Sequence, residues 1–143
     1  MSEIRKQLSF TARKFVDAEI KALPTAVVEI IPTFGMNKLI VPVNVHVHLK
    51  STGAYTNFDV LAAFALLRGT AGGSIFTMDQ MDTLLGSAVD MDANMIEQPI
   101  FDAPLDIINK PLNLKVTNAL GAFTGGNSAN ALTVTVAYYV LHV

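Results

Sequence analysis

The stretch KLIVPVNVHVHLK, residues 38–50, decides the fold class, because apolar and polar side chains alternate along it. Successive side chains of a strand point to opposite faces, so this pattern predicts a strand with one buried face. Pro42 has no N–H to donate, and it therefore predicts a sheet edge or a bulge near the start of the strand. The apolar residues predicted to share the buried face are Leu39, Val41, Val43, Val45, Val47 and Leu49, and the polar residues opposite them are Asn44, His46, His48 and Lys50.

Other strand patterns are spread along the chain. Clear alternation occurs at residues 111–117 (PLNLKVT) and 131–143 (ALTVTVAYYVLHV), with shorter or weaker runs at 4–12 and 26–32. Residues 58–68 (FDVLAAFALLR) are apolar on both sides, which favours a fully buried strand. Turn signals rich in Gly and Asn lie between these runs, at residues 33–37, 51–57, 69–73 and 121–130.

Two segments have helical signals. Asp17 is a predicted N-cap for a short helix that stops at Pro24, and Thr77 with Gln80 has the spacing of a capping box for a helix that ends at Gly86. The sequence thus predicts an all-β, single-domain antiparallel β-sandwich, jelly-roll-like, with one or two short helices. We expect residues 1–15 to form an extended N-terminal arm or edge strand and residues 16–143 to form the sandwich.

Composition limits the possible functions. The chain has 143 residues, no cysteine and a net charge of −2, so disulfides, thiol catalysis and nucleic-acid binding are not expected. No apolar run approaches the roughly 20 residues of a membrane span, and residues 1–10 are unlike a signal peptide. Only 15% of residues are charged while 51% are hydrophobic, which favours a surface partly covered by other chains.

The charges that are present are unevenly distributed. Basic residues concentrate near the N-terminus, whereas residues 69–109 contain acids but no Lys or Arg. One interpretation is an ordinary solvated face, and the other is docking of each charged region onto a different neighbour. The residues predicted as capsid or subunit contacts on the second interpretation are Arg5, Lys6, Arg13, Lys14, Asp79, Asp82, Asp90 and Asp92.

No motif in the chain makes a case for catalysis or a cofactor. His46 and His48 have the His-x-His spacing of a cupin metal site, but the Glu expected three or four residues later and the Gly expected six residues earlier are both missing. The polar face of a strand therefore accounts for the pair better than a metal does. Residues 90–95 (DMDANM) begin like a calcium loop, yet Met95 stands where such a loop needs Gly. We expect no catalytic, metal or cofactor residues.

Several marks in a fixed order resemble a family of tailed-bacteriophage head decoration or cement proteins, which are minor capsid structural proteins. They are an I-K-x-L turn, a strand ending in Pro, a G-x-x-K corner, an A-Y-T turn and a closing G-G strand, and residues 70–108 match poorly. In this chain the marks fall on Ile20, Lys21, Leu23, Pro32, Gly35, Lys38, Ala54, Tyr55, Thr56, Gly125, Gly126 and Tyr138.

This resemblance implies a compact β-sandwich or jelly-roll protein on the outer surface of a virion, made in the host cytoplasm. Its implied partners are the major capsid protein and further copies of itself, as a dimer or trimer, with neither nucleic acid nor membrane. Two alternatives stay open: a tail or head-tail connector structural protein, and a small-ligand or sugar-binding β-sandwich. For sugar binding, Tyr55, Phe123 and Tyr139 are the aromatics expected to be exposed.

Overall fold

The computed structural model describes residues 7–70, 73–99 and 107–143, which are mostly β-strand. Arg5 and Lys6 lie outside the described residues. The strands are β1 (Ser9–Val16), β2 (Val28–Ile31), β3 (Lys38–Lys50), β4 (Tyr55–Thr56), β5 (Ala63–Arg68), β6 (Ser74–Met78), β7 (Met91–Asn94), β8 (Ile96–Glu97), β9 (Leu112–Thr117), β10 (Thr124–Gly125) and β11 (Ala131–His142). The helices are α1 (Asp17–Ala22) and α2 (Met81–Leu85), and a 3₁₀ turn (Leu23–Thr25) follows α1.

The strands form two main antiparallel sheets. A four-stranded sheet has the order β1-β11-β3-β7, and a five-stranded sheet has the order β2-β9-β5-β6-β8. β4 and β10 make a separate two-stranded sheet. Along the chain, β1 and β3 belong to the four-stranded sheet and β2, between them, belongs to the five-stranded sheet. The last long strand, β11, pairs with the first strand, β1. This order is that of a jelly roll, and the predicted all-β sandwich is confirmed.

Inward-facing side chains of both sheets form the core. Phe15, Val47 and Val134 come from the four-stranded sheet, and Phe64 and Leu114 come from the five-stranded one, each 1% exposed or less. Val47, Leu114 and Val134 belong to the alternating runs, because a side-chain period of two places every second residue on the same face. The predicted strands over residues 111–117 and 131–143 are confirmed as β9 and β11.

β3 follows the predicted alternation only in its second half. Val45, Val47 and Leu49 are fully buried, and His46 and His48 between them are partly exposed, as predicted. In the first half the pattern is reversed. There Ile40 and Pro42 are the buried residues, while Leu39, Val41 and Val43 are partly or largely exposed. The prediction that these three residues share the buried face is wrong.

A β-bulge at Val43 causes this reversal. β11 pairs Ala137 with Asn44 but pairs Tyr138 with Pro42, so Val43 is an extra residue on β3. One extra residue changes the face to which all preceding side chains point. The bulge predicted from Pro42 is confirmed, but its effect on the pattern depends on the pairing with β11.

The starts of three other predicted elements are also corrected. Asp17 is the first residue of α1 rather than its N-cap, because the N–H of Val16 is the one that bonds Glu19 Oε1 (3.2 Å). Thr77 lies in β6 and accepts a hydrogen bond from the amide of Gln98 (3.0 Å), so it caps no helix. β5 begins only at Ala63, because a turn at Asp59 precedes it and leaves Val60 84% exposed.

A partly buried hydrogen bond joins α1 to the two-stranded sheet of β4 and β10. The hydroxyl of Tyr55 donates to Asp17 Oδ1 (2.7 Å), and Lys21 Nζ lies 3.1 Å from Asp17 Oδ2. Burial, with the bond to Asp17, raises the pKa of Tyr55 to about 12. Gly126 packs against this pair at φ +76°, and a Cβ there would clash with the Tyr55 ring and lie 2.7 Å from Asp17 Oδ1. We call these four residues the Tyr55 corner.

The marks of the phage-protein resemblance meet at the Tyr55 corner. Gly126 N–H donates to the carbonyl of Ala54 (2.8 Å), and Phe123 N–H donates to the carbonyl of Lys21 (3.0 Å). Thus the I-K-x-L, A-Y-T and G-G marks, which are far apart in sequence, pack together.

Candidate functional site

The outer face of the four-stranded sheet carries an ordered set of polar residues. Lys14 of β1 pairs with Thr133 of β11, which pairs with His48 of β3, which pairs with Asp92 of β7. Directly paired residues in antiparallel strands place their side chains on the same face. Ala12, Thr135, His46 and Asn94 form the neighbouring row in the same way. We call these two rows the polar half of the outer face.

Asp92 is the centre of the hydrogen bonding in the polar half. Its Oδ1 lies 2.9 Å from His46 Nε2 and 2.8 Å from His48 Nδ1, and His46 Nδ1 lies 3.1 Å from Asn94 Oδ1. The bonds from His48 and then His46 lower the pKa of Asp92, because they favour the ionised carboxylate. The prediction that both histidines lie on the polar side of a strand is confirmed.

The geometry of this cluster differs from that of a metal site. The two imidazoles converge on one carboxylate oxygen, Asp92 Oδ1, at 2.9 Å and 2.8 Å. The rings also lie outside the sandwich, whereas the core between the sheets is apolar. In the part of the chain that the structure describes, no group of three His, Cys, Asp or Glu side chains could hold a metal ion.

Beyond the bulge, the outer face becomes apolar. Phe10 pairs with Ala137 and is 67% exposed, and Val43 is 45% exposed. The next pairs along the two central strands, Val41 with Tyr139 and Leu39 with Leu141, are all partly exposed. We call the apolar half the set of Phe10, Leu39, Val41, Val43, Tyr139 and Leu141.

The edge of β3 beside the apolar half has its backbone groups occupied. β7 pairs only with His46–Leu49, so in the described residues no strand lies along the earlier part of β3. There the carbonyl of Lys38 accepts from Asn109 N–H (2.8 Å), and the carbonyl of Ile40 accepts from Arg68 (2.9 Å). Pro42, two residues further on, has no N–H to offer on this side. These contacts protect this part of the β3 edge against strand addition.

A second apolar surface lies where the loops before β5 and after β9 meet. Val60, Leu61 and Leu120 are 84%, 71% and 60% exposed. We call these three residues the apolar tip. Asn118 Nδ2 donates to the carbonyl of Leu61 (3.1 Å), and Asn57 Nδ2 donates to the carbonyl of Ala122 (2.8 Å), so side-chain amides tie the two loops together.

Further contacts hold the apolar tip in place. Asp59 closes a turn by accepting from Leu61 N–H (2.8 Å), and the carbonyl of Asp59 accepts from Ala62 N–H (3.0 Å). Below the tip, the rings of Phe58 and Phe123 pack edge to face with centroids 5.1 Å apart. The exposed aliphatic side chains therefore stand on an anchored base.

The predicted charged contacts do not come together in one place. Lys14 and Asp92 share a row, but Arg13 lies 3.3 Å from Glu19 and its guanidinium lies over the ring of Phe15. Asp90 accepts from Ser51 N–H (2.9 Å), which fixes the loop after β3. The remaining two, Asp79 and Asp82, are exposed near α2.

The predicted sugar-stacking aromatics are mostly buried. Tyr55 is 1% exposed and Phe123 is 3% exposed, so the expectation that both lie on the surface is wrong. Tyr55 is needed for the hydrogen bond to Asp17, and Phe123 packs on Phe58. Two grooves beside the 3₁₀ turn have volumes of about 180 Å³ and 200 Å³. Both are below the range of about 300–1,000 Å³ that is typical of small-molecule sites.

Comparisons with known proteins give distant similarities only. No protein-family model matches the chain, and no curated protein matches it. One chain of the cyanophage Pam1 capsid asymmetric unit is similar at a TM-score of 0.47 and 13% identity, covering 94% of this chain and 84% of that one. A chain of the Mud crab tombus-like virus is similar at a TM-score of 0.25 and 9% identity, covering 97% and 84%. At these values neither similarity specifies a role for this chain.

The apolar pattern of residues 58–68 does not reveal the apolar tip. It predicts a buried strand that includes Val60 and Leu61, because apolar residues surround them. The signals that could have found the turn are Asn57 and Asp59 before it and Asn118 opposite it, since Asn and Asp favour turns. Asn57 and Asn118 indeed adopt positive φ, at 73° and 53°. In the described ranges, no helix is long and apolar enough to cross a membrane.

Proposed function

We propose that the protein is a non-enzymatic virion structural protein that binds the outer surface of an assembled phage capsid and stabilises it. Its partners would be the major capsid protein and further copies of itself. The resemblance of the ordered sequence marks to phage decoration proteins supports this proposal, and so does the low share of charged residues, 15%. A jelly roll alone is compatible with many functions, so the function must be inferred from the residues that the surface exposes.

The observation that carries the proposal is the apolar tip. Three large aliphatic side chains are more than half exposed, and the loops that carry them are held by two hydrogen bonds from asparagine side-chain amides. Exposed aliphatic residues that are clustered and anchored favour a protein interface, because binding buries them without first ordering a loop. A decoration protein needs such a surface, whereas an enzyme or a sugar-binding protein needs convergent polar groups.

Stabilisation of the capsid follows from binding that is selective for the assembled state. A protein that binds the intact shell more tightly than its separate subunits shifts the equilibrium toward the shell by mass action. The charged residues Arg13, Lys14, Asp79, Asp82, Asp90 and Asp92, which are spread over the surface, would then contribute contacts outside the apolar tip, to the capsid or to another copy. At such positions a charge mainly tunes the rate and specificity of association.

The test is to rebind purified protein to capsids from which it has been removed. A triple variant, Val60→Ser, Leu61→Ser and Leu120→Ser, should fold normally and bind capsids roughly 100-fold more weakly, because each change removes an aliphatic contact. The matched control is Met36→Ser, Ile96→Ser and Val143→Ser, which alters three apolar residues that are 79%, 69% and 56% exposed elsewhere. The control should bind like the wild type.

Capsid integrity is the second readout. Capsids with the wild type or the control should break at a higher temperature than bare capsids, and those mixed with the triple variant should not. Equal binding by the triple variant would show that the tip is not the contact. Virions that carry only a few copies at the tail would instead favour the connector alternative.

A further inference from the structure

We propose that two copies of this chain associate through the outer faces of their four-stranded sheets, around a two-fold axis parallel to the strands. This inference rests on the self-association part of the proposed function. It does not depend on the apolar tip or on capsid binding, so the two can fail separately.

Opposite charges at the two edges of the polar half are complementary between two copies. Lys14 is on β1 and Asp92 is on β7, the two outer strands of the order β1-β11-β3-β7. Both side chains are exposed, and they lie at opposite ends of one row. A two-fold axis along the strands, above the line between β11 and β3, exchanges the two edges. It therefore places Lys14 over Asp92 of the partner subunit, and it does so twice.

The same two-fold rotation also pairs the apolar halves of the two copies. Rotation about an axis along the strands does not move a residue along the strand direction, so the apolar half faces its own copy. An axis across the strands would instead place the apolar half over the partner's polar half, including His48 and Asp92. Only the axis along the strands pairs opposite charges in the polar halves and also pairs the apolar halves with each other. The contact that it produces is isologous, as is usual in homodimers.

The area available is at the lower end for a stable dimer. With about 3.3 Å per residue and 4.8 Å between strands, the four strands present about 600 Å² per copy. The sum for two copies is about 1,200 Å², which is at the lower limit of standard interfaces. Contacts from Arg68 and Asn109 occupy the first half of the β3 edge, so a second copy cannot extend the sheet there, and the contact that remains on this side of the sandwich is face-to-face packing of the two sheets.

The experiment measures the oligomeric state of the isolated protein by sedimentation velocity at low salt. We expect a dimer, and we expect Lys14→Asp or Asp92→Lys alone to raise its dissociation constant at least about tenfold, since each creates two like-charge pairs. An equimolar mixture of the two variants should form heterodimers about as tight as the wild type. In those heterodimers the aspartate introduced at position 14 of one copy faces the lysine introduced at position 92 of the other, and the unaltered Lys14 faces the unaltered Asp92.

Two controls make the result specific. Lys115→Asp reverses an exposed charge on β9 of the other sheet and should leave the dimer unchanged. Phe10→Ser should weaken the dimer without changing the unfolding midpoint of the monomer, measured at a protein concentration well below the dissociation constant of the dimer. A monomeric or trimeric wild type would overturn the inference, and so would two charge variants that fail to associate with each other. If Phe10→Ser weakened only capsid binding, the face would belong to the capsid contact and the dimer would be excluded.

Discussion

At the Tyr55 corner, Asp17 accepts a hydrogen bond from a buried hydroxyl, whereas on the outer face Asp92 accepts from two imidazoles that are about 40% exposed. Each carboxylate contacts two side chains, but the two sites differ in their exposure to water. A hydrogen bond that is shielded from water is costly to break, whereas an exposed one is readily replaced by a bond to water. The corner should therefore control folding, and the outer face should control association.

Gly126→Ala should have the largest effect, because it breaks the corner directly. The new Cβ would clash with the Tyr55 ring and meet Asp17 Oδ1 at 2.7 Å, on a backbone at φ +76°. We expect a loss of about 3 kcal/mol or more in the free energy of unfolding, measured by denaturant titration. Gly35→Ala is the control, since φ is +109° there but no atom lies within 4 Å of the new Cβ. Similar losses in the two variants would contradict a packing role for Gly126.

Tyr55→Phe should cost less, about 2 kcal/mol, because it removes one hydrogen bond to a carboxylate. The folded-state pKa of about 12 is above the ordinary value of 10.0, so burial favours the neutral phenol. This contribution is fully present below pH 10 and is lost as the pH rises through about 12. Near-ultraviolet titration should show a late tyrosinate signal that is missing in the variant. Tyr139→Phe, on the outer face, should keep both that signal and the stability.

Asp92→Asn should have the smallest effect on folding, which sharpens the contrast with Asp17. The lowered pKa of Asp92 means that its contribution is present above its ordinary value of 3.8 and is lost as the pH falls through the lower folded value. The unfolding midpoint of the variant should be close to that of the wild type at pH 7 and indistinguishable from it in strong acid. Asp79→Asn removes another exposed acid and is the charge-matched control. A large loss at pH 7 would show that the outer face is part of the folding core.

Much of the fold could be predicted from the sequence, because strand alternation is local. The periodicity of residues 131–143 and 111–117 identified two central strands, and the second half of β3 buries the expected side chains. The candidate surfaces could be predicted only in part. The charge distribution predicts Lys14 and Asp92 as contacts, yet nothing in their sequence positions indicates that one row joins them. That row exists because β11 and β3 lie between β1 and β7.

The sequence by itself determined the class of fold, most of the strands and the outward direction of His46 and His48, since side chains alternate regularly along a stretch of strand that has no bulge. The tertiary structure decided the bulge at Val43, the exposure of Val60 and the burial of Phe123. The bulge and the burial of Phe123 depend on segments that are distant in sequence, and the turn that exposes Val60 is held by Asn118 as well as by the local Asp59. A bulge is defined by the pairing partner, and exposure is defined by what packs above a side chain, so neither is encoded in the local pattern.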